Sequence, residues 1–218
     1  MSHKMRATWK VFLLSTLLTV TLAACTTTLT PNMALTARPE VAQRYAAPTN
    51  EKFDVDAVDT TEIDPKNLRQ LVEYAVTQPP GTIVVDPHKR FLYLVLENGK
   101  ALRYGVGVGK AGLEFSGTAT IQDKKAWPHW TPTPDMIRRD PDRYQPWVKG
   151  MEGGAKNPLG ARALYLFKDG KDTLYRIHGT TEPWSIGKAV SSGCIRMLNQ
   201  DVIDLYNRVP KGAKVVVL

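Results

Sequence analysis

Two dipeptides limit the fold of this chain more than any other feature. Asn98-Gly99 and Asp169-Gly170 each lie between short runs of aliphatic, aromatic and β-branched residues. A two-residue link of this kind favours successive positive φ angles, and it joins antiparallel neighbours. The strands expected around these links are 91–96 with 102–108, and 163–167 with 174–178. Residues 82–86, 118–125 and 213–218 read as further strands. Two stretches read as helix. In 65–77, Leu68, Leu71, Val72, Ala75 and Val76 recur at helical spacing behind Asp64 as N-cap and Pro65, before Pro79-Pro80-Gly81. Asn199 is a plausible N-cap for a helix to about residue 208, with Val202, Ile203, Leu205 and Tyr206 inward. Many short strands with few helices predict a mainly β domain, a β-sandwich or partly closed barrel, and not a parallel α/β sheet. Gly107-x-Gly109-x-x-Gly112 formally matches a dinucleotide fingerprint, but no crossover helix follows it, so we read it as chance.

The N-terminus has another character. Lys4, Arg6 and Lys10 precede an uncharged run of Leu, Val, Thr, Ser and Ala ending at Ala24. The run is too short to span a bilayer comfortably and fits a signal peptide over 1–24. It closes Leu22-Ala23-Ala24-Cys25, which resembles the bacterial lipobox, in which the Cys is lipidated and becomes the new N-terminus. Residues 25–63 are then expected to be a Thr-, Pro- and Ala-rich tether, with order near 53–58. Residues 64–78 form the helical segment and 80–218 the folded domain. With Cys25 acylated, Cys194 has no partner, and a free thiol in an oxidising compartment needs a reason to exist. The formal charge is +8, from 29 Lys+Arg against 21 Asp+Glu. A basic body suits an anionic envelope or nucleic acid. No basic helix interleaved with aromatics and no nucleic-acid motif is present, which argues against nucleic acid.

Residues 126–154 break the strand pattern with Trp127, Trp130, Tyr144, Trp147 and five prolines. A loop this long in a compact domain is usually functional or disordered. Its aromatics favour a structured lid or cleft wall with a helical turn near 134–139; a packed surface excursion is the other reading.

The chemistry gathers at Ile177-His178-Gly179-Thr180 and Ser191-Ser192-Gly193-Cys194-Ile195-Arg196. A lone Cys is often a small buried hydrophobe and a lone His a satisfied core residue. Here the thiol sits in a small-residue loop and the imidazole ends an alternating strand. A thiol attacks a carbonyl only as thiolate, so it needs a base or cation nearby. His178 can take the proton, Arg196 can hold an anionic group, and Gly193 lets the backbone come close to a ligand.

This pattern resembles the L,D-transpeptidase catalytic domain, the YkuD family, over about residues 80–218. The strand at 82–85, Tyr93-Leu94 and the Asn157-Pro158-Leu159-Gly160 turn are similar to that domain as well. The resemblance implies a β-sandwich-like fold acting on peptidoglycan stem peptides, with no metal or organic cofactor. It implies Cys194 as nucleophile and His178 as general base, oriented by a backbone carbonyl, for which Gly179 is the candidate. Backbone N–H groups of Ser192, Gly193 and Cys194 would hold the oxyanion, and we assign substrate binding to Arg196 and Trp184. The acyl group would pass to another stem or to an amine on an envelope protein, in the periplasm, with the membrane reached through the lipid on Cys25. Many members carry His where this chain has Ser192, so His178 must be the only base; His88 and His129 lie in a predicted turn and in the lid. The competing readings are hydrolysis of the same acyl-enzyme, a catalytically silent wall-binding lipoprotein, and a papain-like peptidase. The last usually places its Cys first, at a helix N-terminus.

Overall fold

The computed structural model of the chain describes residues 35, 36, 38–110 and 115–218; the leader 1–24, Cys25 and Gly112 lie outside the described residues. The strands are β1 (Gln70–Glu73), β2 (Ile83–Asp86), β3 (Phe91–Val95), β4 (Lys100–Gly105), β5 (Val108–Gly109), β6 (Gly117–Ala126), β7 (Arg162–Lys168), β8 (Lys171–His178), β9 (Ala189–Ser191), β10 (Ile195–Arg196) and β11 (Lys214–Val217). The α-helices are α1 (Pro39–Arg44), α2 (Pro134–Arg139), α3 (Pro141–Tyr144) and α4 (Asn199–Arg208). Nine strands form one sheet in the order β1-β4-β3-β2-β11-β6-β7-β8-β10, and β5 pairs with β9.

The β3–β4 and β7–β8 hairpins turn where the sequence places them. Asn98 and Gly99 have φ of 60° and 68°, and Asp169 and Gly170 have 51° and 74°. Both residues of each link thus take the positive φ that a tight hairpin matched to strand twist requires. Most pairings are antiparallel, whereas β2–β11, β8–β10 and β5–β9 are parallel. The far end of the sheet returns to its beginning. Gly107, just past β4, donates to Arg196 O at 2.9 Å and accepts from Arg196 N at 2.8 Å. The fold is therefore a mainly β, partly closed barrel.

The enclosed core is aliphatic. Ile83, Leu92, Ile121, Leu164, Leu166, Ile177 and Val215 have no exposed surface, and α4 closes the core with Val202 and Leu205. Each such side chain contributes about 1.5–3 kcal/mol on burial. Tyr206 packs at the edge of the same cluster.

Two expectations fail. The helix over 65–77 is instead a 3-10 turn, Pro65–Asn67, followed by β1. Asp64 does cap the turn, accepting from Lys66 N at 3.1 Å. After it, β1 pairs antiparallel with β4, Val72 opposite Ala101. The free edge of β4 supplies hydrogen bonds that a local helical spacing cannot outweigh. Of the five apolar residues at helical spacing, Leu68 is buried, while Leu71 and Val76 face solvent. Val72 and Tyr74, two apart, cover the outer sheet face, where Tyr74 stacks on Tyr93 at 4.1 Å.

The second failure is the tether. Its described part is a strap packed on the domain. α1 buries Val41, and Tyr45 after it has no exposed surface. Tyr45 Oη bonds Asp201 Oδ1 at 3.0 Å, and Gln200 Nε2 donates to Asp56 O at 2.8 Å, so α4 grips the strap from below. Val41, Tyr45, Ile63 and Leu68 form a small core with Ile186 and Leu198. Thr, Pro and Ala composition says nothing of these few anchor residues, whose partners are remote in sequence.

Candidate active site

Strand alternation builds the site. In β8, Ile177 points into the core and its neighbours Arg176 and His178 point to the other face. β10 lies parallel to β8 with Ile195 opposite Ile177 and Arg196 opposite His178. Ile195 is buried like Ile177, so its neighbours Cys194 and Arg196 also turn outward. Parallel pairing of two strands so far apart in sequence puts thiol, imidazole and guanidinium on one surface.

That surface is the floor of a cleft of about 870 Å³ lined by His178, Ser191, Ser192, Cys194 and Arg196. Its walls come from the 127–154 excursion, through Trp130, Arg139, Arg143, Tyr144 and Trp147. The excursion is structured. Thr133 Oγ1 caps α2 by accepting from Met136 N at 3.2 Å, and Trp130 and Met151 exchange backbone hydrogen bonds of 2.9 and 2.7 Å. Asn157 ties its two ends together by donating to Pro128 O at 3.0 Å and to Met151 O and Glu152 O at 3.1 Å.

His178 is buried, and its Nδ1 lies 2.5 Å from Gly179 O. A carbonyl only accepts, so Nδ1 carries the hydrogen and Nε2 keeps its lone pair. Burial pushes the His178 pKa down to about 4; the Arg196 and Arg176 charges add to this, and the bond to Gly179 opposes it. The imidazole is thus neutral at neutral pH. Cys194 is half-buried and faces the cleft. Its Sγ lies 3.9 Å from Leu174 O, and among the described residues it makes no hydrogen bond to His178. Burial raises the thiol, while the Arg176 amide and the Arg176 and Arg196 charges pull it back. The two directions agree in leaving a protonated thiol and a neutral imidazole in one cleft at neutral pH. We expect the rate of Cys194 alkylation by iodoacetamide to rise about tenfold per pH unit between about pH 6 and 8. A plateau persisting into acid would instead mean a standing thiolate–imidazolium pair.

Gly193 has φ +131°, a conformation open to glycine. Its N–H is not directed at the cleft as the oxyanion reading expects. Ser191 Oγ accepts it at 3.1 Å and donates to Cys194 O at 2.6 Å. The hydroxyl two residues earlier captures the amide because the tight bend brings it within reach. Arg196 lines the cleft, and its Nη1 bonds Glu182 Oε2 at 2.6 Å. Trp184 does not line the cleft. It is exposed, with the Lys188 ammonium 5.2 Å from its ring, because the 3-10 turn Pro183–Ser185 points it outward. His129 bonds Glu152 and Thr131 instead of facing the floor.

Several residues escaped sequence reading. Asn199 is the first residue of α4, not its side-chain cap. Its Oδ1 accepts from Ala161 N and its Nδ2 donates to Thr180 O, each at 3.0 Å, which fixes the loop beyond His178. Gly179 packs so closely that an added Cβ would lie 2.1 Å from Asn199 Oδ1. Leu174 has φ +63° and is exposed at the cleft. Its conformation rests on Asp172, which accepts Leu174 N at 2.8 Å and holds Arg176 through two bonds of 2.6 and 2.8 Å. The signal for such a bulge is weak: Asp172-Thr173 beside a leucine in an otherwise regular strand.

A family model for the L,D-transpeptidase catalytic domain, YkuD, matches residues 80–217. The probable L,D-transpeptidase ErfK/SrfK of Escherichia coli (strain K12) is 33% identical over 140 residues, covering 63% of this chain and 44% of that one. The putative L,D-transpeptidase YqjB of Bacillus subtilis (strain 168) is 33% identical over 138 residues, 62% of this chain and 69% of that one. A crystal structure from Brucella melitensis, named a probable carnitine operon oxidoreductase, is 58% identical, covering 72% of this chain and 96% of that one, with a TM-score of 0.49. The chain spans about half the length of the first curated relatives, 44% and 48%.

Proposed function

The chain belongs to the family of L,D-transpeptidase catalytic domains, and from that membership we propose that it is a cysteine acyltransferase acting on peptidoglycan stem peptides. The observation that carries the reading is the β8–β10 register, which sets Arg196 beside His178 and turns Cys194 into the same cleft.

In the proposed first step the thiol turns from Leu174 O toward His178 Nε2. Apo contacts of this kind are commonly long and tighten when substrate arrives. Nε2 takes the thiol proton as sulfur attacks the diaminopimelate carbonyl of a tetrapeptide stem. The amides of Ser192 and Cys194 receive the developing oxyanion, since Ser191 occupies that of Gly193. The tetrahedral adduct collapses to a thioester as His178 returns its proton to the amine of the departing D-Ala. An acceptor amine then attacks the thioester, gives a proton to Nε2, and releases the thiol as that proton returns to sulfur. The amine belongs to a second stem, giving a 3–3 cross-link, or to an envelope protein. Arg139, Arg143, Lys156 and Arg196 line the cleft and suit an anionic donor. Nδ1 held by Gly179 does the orienting work that a carboxylate does in other triads. We place the protein in the periplasm, anchored by lipid on Cys25 after removal of 1–24.

Mass spectrometry of the products from purified disaccharide-tetrapeptide tests this. The expected product is a dimer lacking one D-Ala. A tripeptide monomer would make water the acceptor, and unchanged substrate would leave only a wall-binding role.

A further inference from the structure

The strap residues 39–63 lie outside the family match at 80–217, yet they reach the root of the cleft wall. The excursion that carries Trp130, Tyr144 and Trp147 leaves β6 at Trp127. Trp127 has φ +49°, a conformation that is strained for a bulky L-residue and persists only where its surroundings enforce it.

Two strap residues enforce it from one side. Glu51 Oε2 accepts from Trp127 Nε1 at 3.0 Å. The same carboxylate grips Arg162, at the start of β7, through Nη1 at 2.8 Å and Nη2 at 2.5 Å. The Arg162 and Glu51 side chains are 11% and 9% exposed, so the pair is shielded from water. Phe53 sets its ring against the indole at 5.1 Å and 75°, an edge-to-face contact. Opposite the strap, Trp127 N donates to Ala161 O at 2.8 Å, and a Cβ on Gly153 would lie 2.1 Å from Trp127 O. Trp127 is thus held at the point where the wall departs, its indole by the strap and its backbone by Ala161 and the close approach of Gly153, and Trp130 shortly beyond it already lines the cleft.

We propose that Glu51, assisted by Phe53, is a positioning residue for the acyl-transfer site: through Trp127 it sets the wall of the cleft over Cys194. The segment ahead of the catalytic domain is then part of the working enzyme. This rests on the function proposed above for its kinetic consequence, and on geometry alone for its structural one.

The test compares Glu51→Gln with Tyr45→Phe in the full chain. Tyr45 anchors the same strap, but to Asp201 and to the Arg69 amide at 2.6 Å, and not to Trp127. In Glu51→Gln, amide hydrogen exchange at Trp130 and Met151 is expected to quicken at least about tenfold, with Leu164 and Leu166 unchanged. The rate of Cys194 acylation by a carbapenem is expected to fall at least about fivefold, while alkylation by the smaller iodoacetamide stays the same. Tyr45→Phe is expected to lower the melting temperature and change neither readout. Should Glu51→Gln not fold, Phe53→Ala removes the ring contact without stranding the Arg162 charge.

A purely structural strap would give the same exchange pattern in both variants, and that result overturns the proposal. So does faster exchange with unchanged acylation, or exchange that quickens equally in β7. If the unmutated chain takes no carbapenem, the functional reading has failed instead, and the exchange measurement decides the wall-positioning claim by itself.

Discussion

Replacing Cys194 by Ala should remove thioester formation and transfer together, with a loss of at least roughly 10⁴-fold in turnover. The size follows from the chemistry. Without sulfur no thioester can form, and the alanine methyl offers His178 no proton to take. The fold should survive, because Cys194 is half-buried and packs no core, so the stability change stays within about 1 kcal/mol. Intact-mass spectrometry after carbapenem treatment separates the cases. Wild type gains one adduct, assigned to Cys194 by peptide mapping, and the variant gains none. An adduct on the Ala variant, or cross-linking near the wild-type rate, would remove Cys194 from the reaction.

The part of the site that could be read from sequence is the part with local chemistry. A thiol between glycine and isoleucine, an imidazole ending an alternating strand and a nearby guanidinium are residue types with few uses in that pattern. The hairpins were legible for the same reason, since Asn98-Gly99 and Asp169-Gly170 fix their own backbone angles. What could not be read depends on pairing between distant segments. β1 became a strand because β4 offered an open edge, and no property of 65–77 announces that edge. Tyr45 and Glu51 look like unremarkable residues of a polar tether until Asp201 and Arg162 lie opposite them. Gly193 is expected from sequence to let the backbone approach a ligand, and its φ is one open to glycine, but Ser191 Oγ takes its amide. Trp184, assigned to substrate binding, sits in a 3-10 turn that sends it to solvent, and nothing in its immediate sequence fixes that direction.

Two buried titratable groups should give the protein opposing pH responses. Asp201 has no exposed surface and its pKa is raised from 3.8 to about 7, chiefly by burial and then by Asp204, with Arg69, Tyr45 and Arg44 pulling the other way. Between those values the folded state holds a proton that the unfolded chain has lost. The stability from this group is complete below the unfolded value and is lost as pH rises through 7. His178 behaves inversely. Its pKa falls from 6.5 to about 4, so the unfolded chain is protonated first as pH drops. Its stability is complete above 6.5 and is lost as pH falls through 4. The full swings are about 4 kcal/mol for Asp201 and about 3 kcal/mol for His178, so the native chain should show a nearly level stability curve between about pH 4.5 and 6.5. Each substitution should expose the other group. Asp201→Asn keeps an acceptor for Tyr45 and leaves Arg69 paired with Asp204, so its stability should climb by about 3 kcal/mol from about pH 4 to 7. His178→Gln should lose about 4 kcal/mol over the same interval. Urea unfolding at four pH values across this range measures both slopes. If the two variants follow the wild-type curve in parallel, neither buried group exchanges its proton on unfolding, and the near-level wild-type profile has another origin.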